Sequence, residues 1–198
     1  MGDSIVLERR YGADIGARFE ALAGLRMRVF REWPYLYDGS LEEERELLQY
    51  YLDCPQALAV IAMDGAQAVG LSTAMPATAE SDRIGDALAA GGLDPRQVCY
   101  FPESILLAPY RGQGVYRRFF ELREAHARRL GFAQAAFCAV ERPADHPLRP
   151  AGEQPLDPVW AHFGYHRRSD LVAWYPWRDV DEPAATEKPL VFWIKPLH

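Results

Sequence analysis

The sequence predicts an α/β (α+β) domain with a mixed, mostly antiparallel central sheet, one parallel strand pair, and helices flanking it. Three observations predict it. Two apolar runs, ALAVIAMD (57–64) and QAVGLSTAM (67–75), stand on either side of an Asp-Gly turn, the strongest short-range signal of an antiparallel hairpin. Residues 98–140 read as strand, helix, strand, a parallel crossover of right-handed sense. Two late apolar runs, RSDLVAWYPW and LVFWIKPL, add strands near the end.

The first element is a short strand over Ser4–Arg10. Asp14 is placed to cap a helix whose apolar positions Ile15, Phe19, Leu22, Leu25 and Val29 recur at helical spacing, and Trp33-Pro34 ends it. Ser40 and Glu43 form a capping-box pattern that starts a second helix, with Glu42–Glu44 as a solvated first turn suited to the helix dipole. After the hairpin come a small Ala- and Gly-rich helical insert (80–95) and the apolar run VCYFPESILL. Pro102 interrupts that run, and since proline cannot donate to a ladder a bulge or strand end is expected there. The helix that follows carries Val115, Phe119, Leu122, His126 and Leu130 on one face and stops at Gly131. FAQAAFCAV is the next buried strand. A proline-rich loop (142–158), a short helix in DPVWAHFGY and the two late strands complete the order. LVFWIKPL has two readings, an internal strand or an edge that pairs with a second subunit, so a monomer and a homodimer both fit.

A chain of 198 residues suits one domain, 1–198. Hydrophobic residues at 49% and charged residues at 25% are a soluble globular profile. No apolar run approaches a bilayer span and the opening residues carry no signal-peptide pattern, so no membrane partner and a cytoplasmic location are expected. Cys54, Cys99 and Cys138 are odd in number and widely separated, which points to buried thiols and away from disulfides or zinc. A net charge of −6 disfavours nucleic acid, which needs a basic face, and mildly favours cationic partners. Arginine supplies nearly all the positive charge, the mark of codon usage in a GC-rich, bacterial genome.

PYRGQGVYRRFF (109–120) is the stretch that carries chemistry. Its bland reading is a turn. Glycines between a strand and a helix also let several backbone N–H groups point at one anion, where the helix N-terminus adds partial positive charge. The spacing fits neither a Walker loop nor a dinucleotide fingerprint.

Set after a bulged apolar strand and before an amphipathic helix, this loop resembles the cofactor loop of the GNAT acetyltransferase family, in which Gln or Arg is followed, with two residues between, by Gly and then, with one residue between, by Gly or Ala. Arg111 and Gly114 match, and Tyr116 matches imperfectly. The likeness covers the chain in topology and residues 98–165 in sequence pattern. It implies a GNAT-like sheet whose one parallel pair is splayed, and acetyl-coenzyme A as co-substrate without a metal. It also implies cofactor contacts from Ile105, Leu106, Leu107, Arg111, Gly112, Gln113, Gly114, Val115 and Tyr116. Tyr116 stands where the family has a small residue, so its ring either turns away from the cofactor or packs against the nucleotide. AHFGY resembles the family's late helix, and there Trp160 takes the place of a tyrosine that protonates the departing thiolate, a role tryptophan cannot fill.

Acetyl transfer to an amine needs a base, a polarised thioester carbonyl and a leaving thiolate. Glu103 lies on the strand before the loop, as the catalytic glutamate does in some GNAT members. The other reading of Glu103 is a carboxylate that caps the bulge or pairs with an arginine; Asp38 and Glu32 are further candidates. Backbone N–H groups near Leu106 and Leu107 can bind the acetyl oxygen. A thiol with a reference pKa of about 8.5 leaves with modest help, for which Tyr165, Tyr100 and Tyr116 are available. His126, on the apolar stripe, reads as a core histidine, and His162 and His166 lack the partners of a zinc site. Trp33, Tyr35 and Tyr37 either line a cationic acceptor pocket or simply pack the end of the first helix.

The resulting expectation is an N-acetyltransferase acting on a primary amine of a small-molecule acceptor by direct attack in a ternary complex. A protein acetyltransferase, a non-catalytic acyl-coenzyme A sensor and an unrelated nucleotide-binding domain are the rivals.

Overall fold

The computed structural model describes residues 5–197. Strand β1 (Val6–Tyr11) leads through a 3₁₀ stretch (Gly12–Arg18) to helices α1 (Phe19–Phe30) and α2 (Leu41–Leu52), then to the hairpin of β2 (Leu58–Asp64) and β3 (Gln67–Pro76). Next come α3 (Asp82–Ala90), β4 (Val98–Tyr100), β5 (Ser104–Leu106), α4 (Val115–Arg129) and β6 (Gln134–Val140). The chain closes with α5 (Asp157–His162), β7 (His166–Trp177) and β8 (Thr186–Pro196). The expected strand start at Ser4 lies outside the described residues. Asp14 caps no α-helix, a correction to the sequence reading: it falls in the 3₁₀ stretch, and α1 begins only at Phe19. The chain leaves β1 through Gly12, whose φ of 47° and contact with Pro55 require glycine, and this tight entry delays the α-helix.

The eight strands form one sheet in the order β1-β2-β3-β4-β6-β8-β7, with β5 paired to β3. Every pairing is antiparallel except β4 with β6, the expected crossover. Strand β8 lies between β6 and β7, and that internal position accounts for the apolar LVFWIKPL. Strand β2 is buried along nearly its whole length, as is most of β3. Helix α4 comes close because Gly70 on β3 has no Cβ; one built there would stand 3.2 Å from the ring of Phe119 and 2.6 Å from Leu106.

The sheet is continuous only as far as Pro102. Strand β3 pairs with β5 through Gly70–Ser72 and with β4 through Met75 and Pro76. Between these, Phe101 N–H reaches across to the Ala136 carbonyl on β6 at 2.8 Å, while the Glu103 carbonyl turns the other way to accept from Thr73 N–H at 3.1 Å. Proline has no N–H to continue the bond to β6. Beyond it β5 stays with β3, β6 follows β8, and the two strands part.

A buried ion cluster ties the helices to this break. Arg26 on α1, Glu44 on α2 and Glu103 at the bulge are 4%, 0% and 5% exposed. Arg26 Nε bonds Glu44 Oε2 at 2.6 Å, and Arg26 Nη1 pairs with Glu103 Oε2. The expected capping box forms, with Glu43 N–H on Ser40 Oγ at 3.3 Å and Ser40 N–H on Glu43 Oε2 at 2.7 Å. The acidic first turn is solvated only at Glu42 and Glu43; Glu44 turns inward, because the fourth helical position faces the core.

Two outcomes follow for urea unfolding. Ser40→Ala loses about 1 kcal/mol through the missing cap. Arg26→Met loses about 3–5 kcal/mol because it strands two buried carboxylates, and adding Glu44→Gln recovers part of that loss. An Arg26→Met protein as stable as the parent would show that the cluster is no clamp.

Candidate active site

The gap between β5 and β6 opens into a cleft of about 1250 Å³. Its floor is Phe101–Leu106, one wall is Phe137–Val140, and the loop Arg111–Gly114 with Tyr116 stands at one end. Glu32, Trp33, Pro34 and Tyr35 also line it.

Gly112 and Gly114 have φ of 77° and 79°, and a Cβ on either would meet no atom within 4 Å. Their requirement is therefore one of dihedral angle: the loop folds left-handed and presents bare backbone to open space. Gly114 is also the residue before α4, whose first N–H groups have no side-chain cap. Those amides and the helix dipole make this a place for an anion.

Strand β5 lends the cleft an edge that pairs with no strand. Leu107 N–H donates to the Val69 carbonyl at 2.9 Å, and Thr73 N–H to Glu103, which fixes the alternation of the ladder with β3. By that alternation the main-chain groups of Ser104 and Leu106 face the gap. Of the two amides expected to receive an acetyl oxygen, Leu107 is thus already engaged and Leu106 remains. Of the residues expected at the cofactor, Ile105, Leu106, Arg111, Gly112, Gly114 and Tyr116 line the cleft. Val115 is instead packed in the core, 3% exposed. Gln113 turns back to the Pro109 carbonyl at 3.0 Å. Arg111 bends back as well, its Nε on the Leu106 carbonyl at 3.0 Å and its Nη2 3.6 Å from Glu32.

Glu103 has the partner that the alternative reading foresaw, Arg26, yet it also lines the cleft and its Oε1 has no hydrogen-bond partner. The hydroxyls of Ser72 and Ser104, opposite one another across β3 and β5, are likewise buried and unpartnered. Beneath the bulge lies Arg123, 1% exposed, with Nη1 on the Glu103 carbonyl at 3.3 Å and its guanidinium 4.4 Å and 4.5 Å from the ring centres of Phe101 and Phe120. Burial pushes its pKa down from the usual arginine value. Asp38, the weaker candidate base, is held by Arg31 and Arg178 away from the cleft lining, with Arg31 chiefly lowering its pKa.

Trp33 and Tyr35 border the cleft, while Tyr37 lies beside Glu44, and burial together with that carboxylate raises its phenol pKa. Tyr35 packs on Phe30 and Trp177, and Trp33 on His146 of the proline-rich loop. The segment is anchored by Arg142, which donates to the carbonyls of Pro34 at 2.7 Å and Tyr35 at 2.5 Å and grips Asp179 at 2.6 and 3.0 Å. Val180 N–H adds a bond to the Leu36 carbonyl at 2.8 Å, and Asp38 N–H one to Arg178 at 2.9 Å.

Trp160 and Tyr116, the two departures noted in sequence, meet: Trp160 Nε1–H donates to Tyr116 Oη at 2.9 Å. His126 is the core histidine expected, with Nε2 2.8 Å from the Gln56 carbonyl. All three cysteines are buried, and burial lifts Cys99 and Cys138 to about 12. Among the described residues no three His, Cys, Asp or Glu side chains converge as metal ligands. Sequence reasoning missed Arg26, Glu44 and Arg123. The signal was available, since Arg26 follows Leu22 by four and Arg123 follows Phe119 by four, each a charge on a core-facing stripe.

No protein-family model matches the chain, and no curated protein matches it. Solved structures do. A GNAT-family acetyltransferase from Staphylococcus aureus Mu50 aligns over 98% of this chain and 100% of its own, with a TM-score of 0.63 at 8% identity. A ribosomal-protein-alanine N-acetyltransferase from Brucella melitensis aligns over 97% and 99%, with a TM-score of 0.62 at 13% identity. An aminoglycoside 6'-N-acetyltransferase complexed with coenzyme A aligns over 98% and 97%, with a TM-score of 0.58 at 15% identity. With its mostly antiparallel sheet, one parallel pair and the gap that opens beside it, the chain has the fold of the GNAT acetyltransferases.

Proposed function

We propose that this protein is a single-domain N-acetyltransferase that moves acetyl from acetyl-coenzyme A to a primary amine of a small molecule, by direct attack in a ternary complex. The observation that carries this reading is the gap between β5 and β6, with an unpaired strand edge on one side and the bare glycine loop at its end.

The residues present fit the co-substrate. The amides of Gly112–Val115 suit a pyrophosphate, and the Ser104–Leu106 edge suits the amide-bearing pantetheine arm. Acetyl-coenzyme A supplies the activated acetyl group and a thiol leaving group. Leu106 N–H stands ready for the acetyl oxygen as negative charge gathers on it. Glu103 accepts the amine proton, directly or through one water, at its unpartnered Oε1, while Arg26 holds its other oxygen.

A small acceptor is favoured by the way the acceptor end is walled. The Trp33–Tyr35 segment and the proline-rich loop are joined by the Trp33–His146 contact and by Arg142. A long peptide groove would need these walls apart. That the similar enzymes named above are N-acetyltransferases supports nitrogen as the acceptor atom.

Calorimetric titration with acetyl-coenzyme A is expected to show saturable binding, with none for ATP. Gly114→Pro weakens it about tenfold or more, because proline holds φ near −65° where the loop needs the left-handed region. With an acceptor found by amine screening, Glu103→Gln lowers turnover about 10²–10⁴-fold and leaves acetyl-coenzyme A affinity unchanged; undiminished transfer would place the base elsewhere. Binding without turnover on any amine would favour the sensor module, which Tyr116 and Trp160, both departures at positions where the family pattern places function, support.

A further inference from the structure

Three tyrosines are available to assist the departing thiolate, and their surroundings differ. Tyr165 is 1% exposed, gives its O–H to Glu124 at 3.2 Å and stands off the cleft lining. Tyr100, also off the lining, is 2.8 Å from Cys138 Sγ. Only Tyr116 lines the gap, and its oxygen is the acceptor in its bond with Trp160, which leaves its own proton free to be donated.

The ring is held from several sides. Phe120 meets it edge-on at 5.3 Å between centres, Phe163 lies at 6.3 Å, and the indole of Trp160 comes from α5. Ser104 on β5 is close enough to favour the ionised phenol, and its hydroxyl makes no hydrogen bond. Arg123, on the same helix, is the charged group acting on the phenol among the described residues, and the titratable Tyr35 phenol also lies within its influence. Burial pushes the phenol pKa up, so it stays protonated at neutral pH; Trp160, Arg123 and Ser104 pull the other way and ease loss of the proton.

We infer that Tyr116 is the proton donor to the leaving sulfur, with Trp160 as the positioning residue that holds its oxygen and steadies the phenolate. The two sequence departures thus compensate each other: the phenol absent from α5 is supplied by α4, and tryptophan at 160 serves it. As the carbon–sulfur bond breaks, its electron pair goes to sulfur and the Tyr116 proton follows to give the thiol. The phenolate, accepting from Trp160 Nε1–H, then recovers a proton from solvent. The amine proton goes separately to Glu103.

This assignment rests on the acetyltransferase reading, and its test needs no acceptor. Coenzyme A, the product, is bound to the whole protein and its thiol titrated by the ultraviolet absorbance of the thiolate. A donor at the sulfur should lower the bound thiol by about one pH unit or more from its reference of about 8.5. Tyr116→Phe should return most of that shift with coenzyme A affinity within about threefold of the parent, and Trp160→Phe, which keeps the phenol but removes its partner, should return part of it. Failure of coenzyme A to bind the parent would overturn this assignment together with the acetyltransferase reading. Binding with a thiol pKa that neither variant moves would overturn the proton donor alone. Markedly tighter binding by Tyr116→Phe, with no change in thiol ionisation, would likewise overturn it and make the ring a plug in the pantetheine path.

Discussion

A single missing hydrogen bond organises this molecule. Pro102 has no N–H, so the strand that begins beside β6 cannot remain there, and after one bulge it continues along β3 alone. In a protein sheet an open seam is costly unless something pairs with its edges. Here the seam stays open, is bordered on one side by main-chain groups of Ser104 and Leu106, and is continuous with the loop that carries Gly112 and Gly114. The cleft is a property of the backbone before any side chain contributes to it.

Four of the buried charges gather at the same place. Arg26, Glu44, Glu103 and Arg123 are all buried within or against the bulge. Buried charges survive only when paired, and even then contribute little to stability beyond what an apolar core would give. Their presence around one interruption, with Glu103 Oε1 and the Ser72 and Ser104 hydroxyls unpartnered, is the pattern of a site where stability yields to chemistry. Arg26 acts on both counts, since it offsets the charge of Glu103 and fixes which of its oxygens is free.

Much of this was legible in the sequence where local rules decide. The Asp64-Gly65 turn, the Ser40–Glu43 box, the interruption at Pro102 and the left-handed glycines before α4 each follow from the chemistry of one or two residues. Where tertiary contacts decide, the sequence was silent or misleading. Asp14 looks like a helix cap, but the preceding Gly12 packs against Pro55 and turns the chain too tightly. Glu44 looks solvated among its acidic neighbours because its partner lies 18 residues earlier on another helix. Tyr116 and Trp160 read as two separate anomalies; that one completes the other depends on the packing of α5 over α4, which no local pattern records.

The anchoring of the Trp33–Tyr35 segment ties it to the order in which the chain is made. Tyr35 and Leu36 are held by Arg142, Trp177 and Val180, partners more than a hundred residues downstream. Domains fold as units as they emerge from synthesis, and contacts of such long separation form late. The glycine loop and β5 precede β6 in the chain, whereas the Trp33–Tyr35 segment must wait for the turn between β7 and β8 to be anchored. The cleft is therefore assembled from both ends of the chain, and it is whole only when the last strand pair, whose Val191 and Trp193 also line it, has been added.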